Sequence, residues 1–429
     1  MAALLAVSQS AADLCDRYAR PVPPQDRSSA PSTQDLINRA RSVLPGGSTH
    51  AARSYDPPIY VVRASGSRKW LVDGREIIDY TMGHGALLLG HAHPAVVQAV
   101  QEQTARGTHY GAAHPLEVEW AELIRSLLPS CQEVRFTASG TEATMLALRI
   151  ARTATGRDHV VKLQDHFHGW YDAVSVNLDD AGLPVQAAGV PAALAALTRV
   201  VRPGDTGGLR AAVAPGDAAA VILEGSGAHY GRDPLDPAFV AEIREACDRT
   251  GTLMVMDEVV TGFRVAPGGM QSLLGVRPDL SVLGKVMAGG LPGGAVGGRR
   301  DLLELLAGTV YHPGTWNANP LSASAGITTL RLVGDGIAQR TADGFARTLE
   351  SEFDATFERT GIPGRVWRLA SILHVALDDP AAHSRLPAAM RGEGVDFLNT
   401  SAFCSTVHSL ADIEQTVDAF GRAVETAAR

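Results

Sequence analysis

Residues 218–225 read AAAVILEG, residues 236–251 read DPAFVAEIREACDRTG and residues 252–259 read TLMVMDEV. The outer two are short apolar runs without polar alternation, the pattern of strands covered on both faces. Between them Phe239, Val240, Ile243, Ala246 and Cys247 recur at helical spacing and make one apolar face. A strand, a helix and a strand in this order form a βαβ unit with a right-handed crossover. The expected fold is therefore α/β with a mostly parallel central sheet, in which ligands sit outside the carboxyl ends of the strands.

Working outward, the 429 residues exceed one ordinary core, so two or more lobes are expected. Residues 1–31 end in a Pro/Ser-rich stretch and read as a flexible arm. Residues 32–80 form the N-terminal part of a small lobe, with a helix from Asp35 to Val43 and an antiparallel meander over 60–80. Residues 81–321 make the large domain, where HPAVVQAVQEQTARG (93–107) starts a helix at Pro94 and stops it at Gly107. Residues 322–429 make a C-terminal lobe that closes on a helix with Leu410, Ile413, Val417, Phe420 and Val424 on one stripe.

The net charge of −8 and the lack of any basic block argue against a nucleic-acid partner. Cys15, Cys131, Cys247 and Cys404 form no CxxC pair, so neither zinc nor a disulfide framework is expected, and a cytoplasmic location fits. No apolar run approaches the roughly 20 residues that cross a bilayer, and MAALLAV lacks a signal peptide's basic flank. The pairs His91/His93 and His166/His168 resemble metal spacing, but no metal is expected.

Three segments place chemistry at strand ends. RFTASGTEATMLALRIARTATG (135–156) leads an apolar approach into Ser139, Gly140 and Thr141, then a helix with Ala143, Leu146, Ala147 and Ile150 on one face. Small residues at a helix N-terminus bind anions, phosphate above all, although Ser and Thr are also ordinary caps. In VMDEV a buried strand ends in Asp257 and Glu258, and a carboxylate there has to be paired. LGKVMAGGLPGGAVGG (283–298) sets Lys285 between an apolar run and glycines that permit close backbone approach.

Of 38 basic residues only Lys69, Lys162 and Lys285 are lysine. Arginine supplies charge elsewhere, and only lysine loses its proton to form a Schiff base. An anion cradle, a strand-end aspartate and such a lysine together fit pyridoxal phosphate (PLP), which needs a phosphate site, a carboxylate at its pyridine nitrogen and a covalent anchor.

SGTEAT (139–144), HFHGW (166–170), MDEVVTGFR (256–264), LGKVMAGGLPGG (283–294) and HPGTWNANP (312–320) resemble, in order, the motifs of class III, fold-type I aminotransferases. The branch is that of glutamate-1-semialdehyde 2,1-aminomutase and D-phenylglycine aminotransferase. The resemblance implies a homodimer with a shared site. In it Ser139, Gly140 and Thr141 hold the phosphate, Thr315 reaches it from the neighbouring subunit, and Phe167 and Val259 flank the ring. It further implies Glu224 beside the cofactor, Asp257 at the ring nitrogen and Lys285 as covalent anchor. PGGSTHAARSYDP (45–57) implies Arg53 for a substrate carboxylate, while His84, His229, Trp170, Tyr230 and Trp316 are implied to line the pocket. In the aminomutase a glutamate follows SAF, and here Cys404 does; D-phenylglycine aminotransferase has an arginine in this region, which NTSAFCS lacks.

The expected reaction is transfer of an amino group between an amino acid and a keto acid, with aminomutase or racemase/epimerase chemistry as alternatives on the same residues. A nucleotide-binding α/β enzyme is the rival from another class. Neither GxGxxG after a first strand nor GxxxxGK[ST] is present.

Overall fold

The computed structural model describes residues 31–50, 53, 55–226 and 233–429. The expected arm thus lies almost entirely outside the described residues. The chain divides into two compact units, Met1–Tyr60 with Val72–Gly74, and Val61–Leu71 with Arg75–Arg429.

In the first unit the helix Thr33–Val43 starts two residues before the expected Asp35. Ser32 is its cap and accepts the Asp35 N–H, so Asp35 lies in the first turn, where its charge suits the helix dipole.

The second unit is built on a seven-stranded sheet. Its strands, in chain order, are β1 (Glu133–Thr137), β2 (His159–Leu163), β3 (Thr198–Val201), β4 (Ala218–Glu224), β5 (Leu253–Asp257), β6 (Leu280–Gly284) and β7 (Gly294–Gly298). They lie in the order β1-β7-β6-β5-β4-β2-β3, and only β7 runs antiparallel to its neighbours. β4 and β5 are buried at every residue and pair in parallel, with Asp257 opposite Glu224. Between them the helix Pro237–Thr250 buries the five side chains expected of it. Helix Gly140–Thr155 likewise buries Ala143, Leu146, Ala147 and Ile150. Each fully buried Leu or Ile contributes about 1.5–3 kcal/mol.

β7 reads GAVGG because its neighbours come too close for larger side chains. A Cβ at Gly294 would collide with the Ser139 carbonyl, and one at Gly298 would lie 2.5 Å from the Asp279 carbonyl. The close approach anticipated for these glycines is thus made by the chain's own backbone.

The expected meander is present as strands Val61–Ser65, Arg68–Leu71 and Glu76–Asp79, and Val395–Asp396 joins it in parallel. Residue 322 lies in the first turn of the helix Pro320–Val333. Beyond that helix a three-stranded sheet, Gly364–Leu369, Ile372–Leu377 and Ser401–Phe403, shares a core with helices Ile337–Thr360, Pro380–Gly392 and Leu410–Ala428. Phe353 stacks on Phe420 at 3.8 Å in that core. Ile413, Phe420 and Val424 are buried as expected, but Leu410 is 70% exposed because it opens the helix next to its cap, Ser409.

Lys69 stitches the meander to the C-terminal strand. Its ammonium meets Asp79 at 3.0 Å and also bonds Asp396, while His91 Nε2 lies 2.6 Å from Asp79. Burial pushes the Asp79 carboxyl up, but the His91 hydrogen bond and the Lys69 charge outweigh it and hold it at about 2. Because the folded value is below the unfolded one, this stabilisation is complete above about pH 4 and is lost as pH falls through 2. Lys69→Met is expected to cost about 3–5 kcal/mol at pH 7, since it removes the cation shared by two buried carboxylates. Urea unfolding at pH 7 and pH 3 checks this: the deficit should shrink at pH 3, and equal deficits at both pH values refute the ion-network account.

Candidate active site

Five segments meet at the carboxyl ends of the strands, and each carries one part of the site. β5 ends at Asp257 and β4 at Glu224, side by side in register. β6 ends at Gly284, so Lys285 is the first residue beyond it. β1 feeds the helix Gly140–Thr155, and β2 feeds the loop that holds residues 166–170.

Lys285 adopts φ 50° and opens a single 3₁₀ turn, Lys285–Ala288. That left-handed conformation is unfavourable for a side-chain-bearing residue, and such strain collects at functional sites. Burial pulls its ammonium down to about 8, against the opposing pull of the Glu224 and Asp257 charges and with help from Arg264. Its amine is therefore a ready nucleophile and base near neutral pH.

Asp257 is held at both oxygens. Oδ1 accepts the Val259 N–H at 3.0 Å, and Oδ2 lies 2.8 Å from His168 Nδ1. Burial lowers His168 despite Asp257, so the ring is neutral, and the nitrogen facing the carboxylate is the one that carries hydrogen. The other nitrogen, Nε2, is buried and has no partner among the described residues.

Glu224 Oε1 accepts the Phe167 N–H at 2.7 Å, and the Glu224 N–H donates to His166 Nδ1 at 2.9 Å. Both histidines of HFHGW therefore clamp strand ends. Residues 166–168 are loop, and the two rings lie 6.1 Å apart, each bonded to a strand end. Glu258 realises the capping reading of a strand-end carboxylate, accepting the Met270 and Gln271 N–H groups at 2.9 and 2.8 Å.

Ser139 is the cap of its helix, its Oγ accepting the Glu142 N–H at 3.2 Å. The Gly140 and Thr141 N–H groups stand in the first turn, where a helix offers no internal acceptor. A Cβ at Gly169 would lie 2.5 Å from Thr141 Oγ1, and one at Gly140 or Gly284 would lie 2.9 or 3.3 Å from a Val259 methyl. The HFHGW loop, Val259 and the approach to Lys285 thus close on the helix N-terminus. This donor set fits PLP: free N–H groups for a dianion, a fixed carboxylate for a pyridinium N–H and an amine that is easily neutral.

The substrate residues are placed less completely. His84 is partly buried, with φ 57°, in the run Met82–Gly85 after strand Glu76–Asp79. Arg53 belongs to the first unit and is exposed, its N–H bonded to the His50 carbonyl at 2.9 Å. His229 and Tyr230 lie outside the described residues. Phe167, Trp170 and Trp316 are 47%, 81% and 59% exposed, and Thr315 stands in the same loop as Trp316.

Sequence reading noted His166 and His168 only as a pair with metal spacing and missed their bonds to the Glu224 N–H and to Asp257. The rarity of lysine was a signal for all three lysines: Lys162 is buried and donates to the Val174 and Val176 carbonyls at 3.2 and 2.9 Å. Position beyond β6 and backbone strain distinguish Lys285 from Lys69 and Lys162. If the amine titrates as described, the rate at which PLP links to the cofactor-free protein should rise with pH and level off above about 8. Reconstitution followed by visible absorbance checks this, and a rise that continues to pH 10 argues against it.

Residues 50–424 match the family model described as aminotransferase class-III. The chain is 38% identical to a glutamate-1-semialdehyde 2,1-aminomutase from Sorangium cellulosum, over 92% of this chain and 97% of that protein. Its fold is similar to an omega-transaminase from Sphaerobacter thermophilus, with TM-score 0.88 and 32% identity, covering 94% and 99% of the two chains. It is also similar to a transaminase with PLP bound, with TM-score 0.87 and 32% identity, covering 91% and 96%. With the fold in place and the family model matched over most of its length, the chain belongs to the class III aminotransferases, PLP-dependent enzymes of fold type I.

Proposed function

We propose that this chain moves an amino group within one small carboxylate substrate, as an aminomutase of the glutamate-1-semialdehyde type. The convergence of Lys285 with the His168-held Asp257 carries the amine chemistry, and the name borne by the curated relative supports the mutase form over the separate-donor transfer expected from sequence.

Bound PLP supplies an aldehyde that exchanges amines and a ring that takes up the electron pair left when a substrate carbon loses its proton. Gly140 and Thr141 offer N–H groups to the phosphate, and Ser139 shapes the turn. Asp257, oriented by Val259 N–H and His168 Nδ1–H, keeps the proton on the ring nitrogen. Phe167 and Val259 confine the ring faces, and Glu224 holds Phe167 by its backbone. The Lys285 amine, neutral above about pH 8, takes the proton from the substrate carbon and returns it to the neighbouring position. Arg53 pairs with the substrate carboxylate, and His84, His229, Trp170 and Trp316 line the remainder.

The assembly is a cytoplasmic homodimer in which Thr315 reaches the partner's phosphate. One observation supports the dimer: Tyr311 and Trp316, beside Thr315, are 80% and 59% exposed.

A second reading, transamination between a separate amino acid and keto acid, is favoured by Cys404. It occupies the position where the resemblance implies a glutamate, and burial pushes its thiol up to about 12, so it carries no charge. The omega-transaminase likeness points the same way.

The purified enzyme is expected to rearrange glutamate 1-semialdehyde with no keto acid added. An absolute need for a keto acid assigns the second reading, and exchange of the Cα proton without movement of nitrogen assigns a racemase. Lys285→Ala should lower kcat by about 10²–10⁴-fold and abolish borohydride fixation of the cofactor. A yellow, fully active Lys285→Ala protein sinks the whole account. His168→Phe should keep the lysine link but lower kcat about 10- to 100-fold, by leaving Asp257 Oδ2 without its donor.

A further inference from the structure

Arg264, the last residue of MDEVVTGFR, is fully buried, and Trp120 alone is larger among the fully buried side chains described. No carboxylate pairs with it among the described residues. Burial pulls it down only to about 10, so it stays charged at neutral pH. Its Nε donates to the Gly85 carbonyl at 2.9 Å, and Nη1 donates to the Cys404 carbonyl at 3.0 Å and to Ser371 Oγ at 3.1 Å. Nη2 is buried without an acceptor among the described residues, and the guanidinium carbon stands 5.4 Å from the Phe403 ring. An interior cation with no counter-ion opposes folding, so stability alone does not account for it. Violations of this kind concentrate where function requires them.

Its acceptors show what that requirement is. Residues 85, 371 and 404 are far apart in sequence and meet on this one side chain. Gly85 closes a run in which Met82, Gly83, His84 and Gly85 all have positive φ, at 44°, 60°, 57° and 83°. Such a run is unfavourable for Met82 and His84 and persists only when its surroundings hold it. Phe403 fills the space where a Gly85 Cβ would stand, 2.8 Å away, and Arg264 grips the Gly85 carbonyl beside it. The same side chain fixes the backbone of Cys404, the position at which the resemblance separates the branch's substrate modes.

We propose that Arg264 is a positioning residue: it locks the strained turn that carries His84 against Phe403 and Cys404, and so sets the substrate end of the site. A lysine cannot replace it, because a single ammonium on a flexible stem lacks the planar fork that spans these acceptors. The inference rests on the proposed amine-moving function through the role of His84 in the pocket.

Arg264→Lys, His84→Ala, the double variant and Ser371→Ala test it in the PLP-loaded enzyme. The wild type is read first: if it shows no borohydride-fixable cofactor and no amine transfer, it is the proposed function that fails. Arg264→Lys is expected to keep the visible absorbance of the linked cofactor and to raise KM for the amino substrate about 10- to 100-fold, with a smaller change in kcat. His84→Ala should raise KM as well, and the double variant should be no worse than the more impaired single variant, because both act through one turn. Ser371→Ala, which removes one acceptor and leaves the charge, guards against a misfolded Arg264→Lys and should raise KM about 2- to 5-fold. Unchanged KM in both Arg264→Lys and Ser371→Ala with a lowered Tm makes Arg264 merely structural and overturns the proposal. So does an additive cycle, or a His84→Ala enzyme with wild-type KM.

Discussion

A carboxylate that ends a strand buried on both faces must find partners within the protein, and the pairing of Asp257 organises this molecule. β5 has no exposed residue, so solvent cannot satisfy the carboxylate at its end. The Val259 N–H takes one oxygen and the neutral His168 ring takes the other. Those two bonds require the chain after β5 to turn back at once, and they require the loop after β2 to cross over the strand ends. The second requirement brings His166 onto Glu224 and leaves Phe167 at the mouth of the site. The neighbouring Glu258 meets the same need differently, by taking backbone N–H groups of the following segment, and so contributes architecture rather than chemistry.

The electrostatics follow from that arrangement. Lys285 sits between burial, which favours the neutral amine, and the Glu224 and Asp257 charges, which favour the ammonium. A lysine on a surface would meet neither influence and would stay protonated through neutral pH. The balance gives an amine able both to bond and to shuttle a proton. Lys69 shows the contrasting use of a buried lysine: with two carboxylates in contact it is a structural cation that ties the N-terminal meander to the strand Val395–Asp396.

Much of the site was legible because its chemistry depends on residue type at a strand end. Ser139, Gly140 and Thr141 announce an anion cradle through small residues at a helix start, Asp257 through a charge after four apolar residues, and Lys285 through its rarity. His168 was not legible, because its function is a contact with a residue 89 positions away, and HFHGW alone does not reveal which way the ring turns. Arg264 was hidden for the same reason. In sequence it is one arginine among many, and only its lack of a carboxylate partner among the described residues distinguishes it.

Local periodicity and chain chirality were enough to specify the α/β class, the βαβ unit from β4 to β5 and the buried faces of helices Gly140–Thr155 and Pro237–Thr250, because burial on two faces leaves a continuous apolar run and burial on one leaves a stripe. Three-dimensional packing settled the antiparallel insertion of β7, the left-handed backbone at Lys285 and His84, and the union of residues 85, 264, 371 and 404 around one guanidinium. Those features arise from contacts between distant segments, whose free energy depends on distance and burial. Neither quantity is encoded in the order of residues along a local stretch.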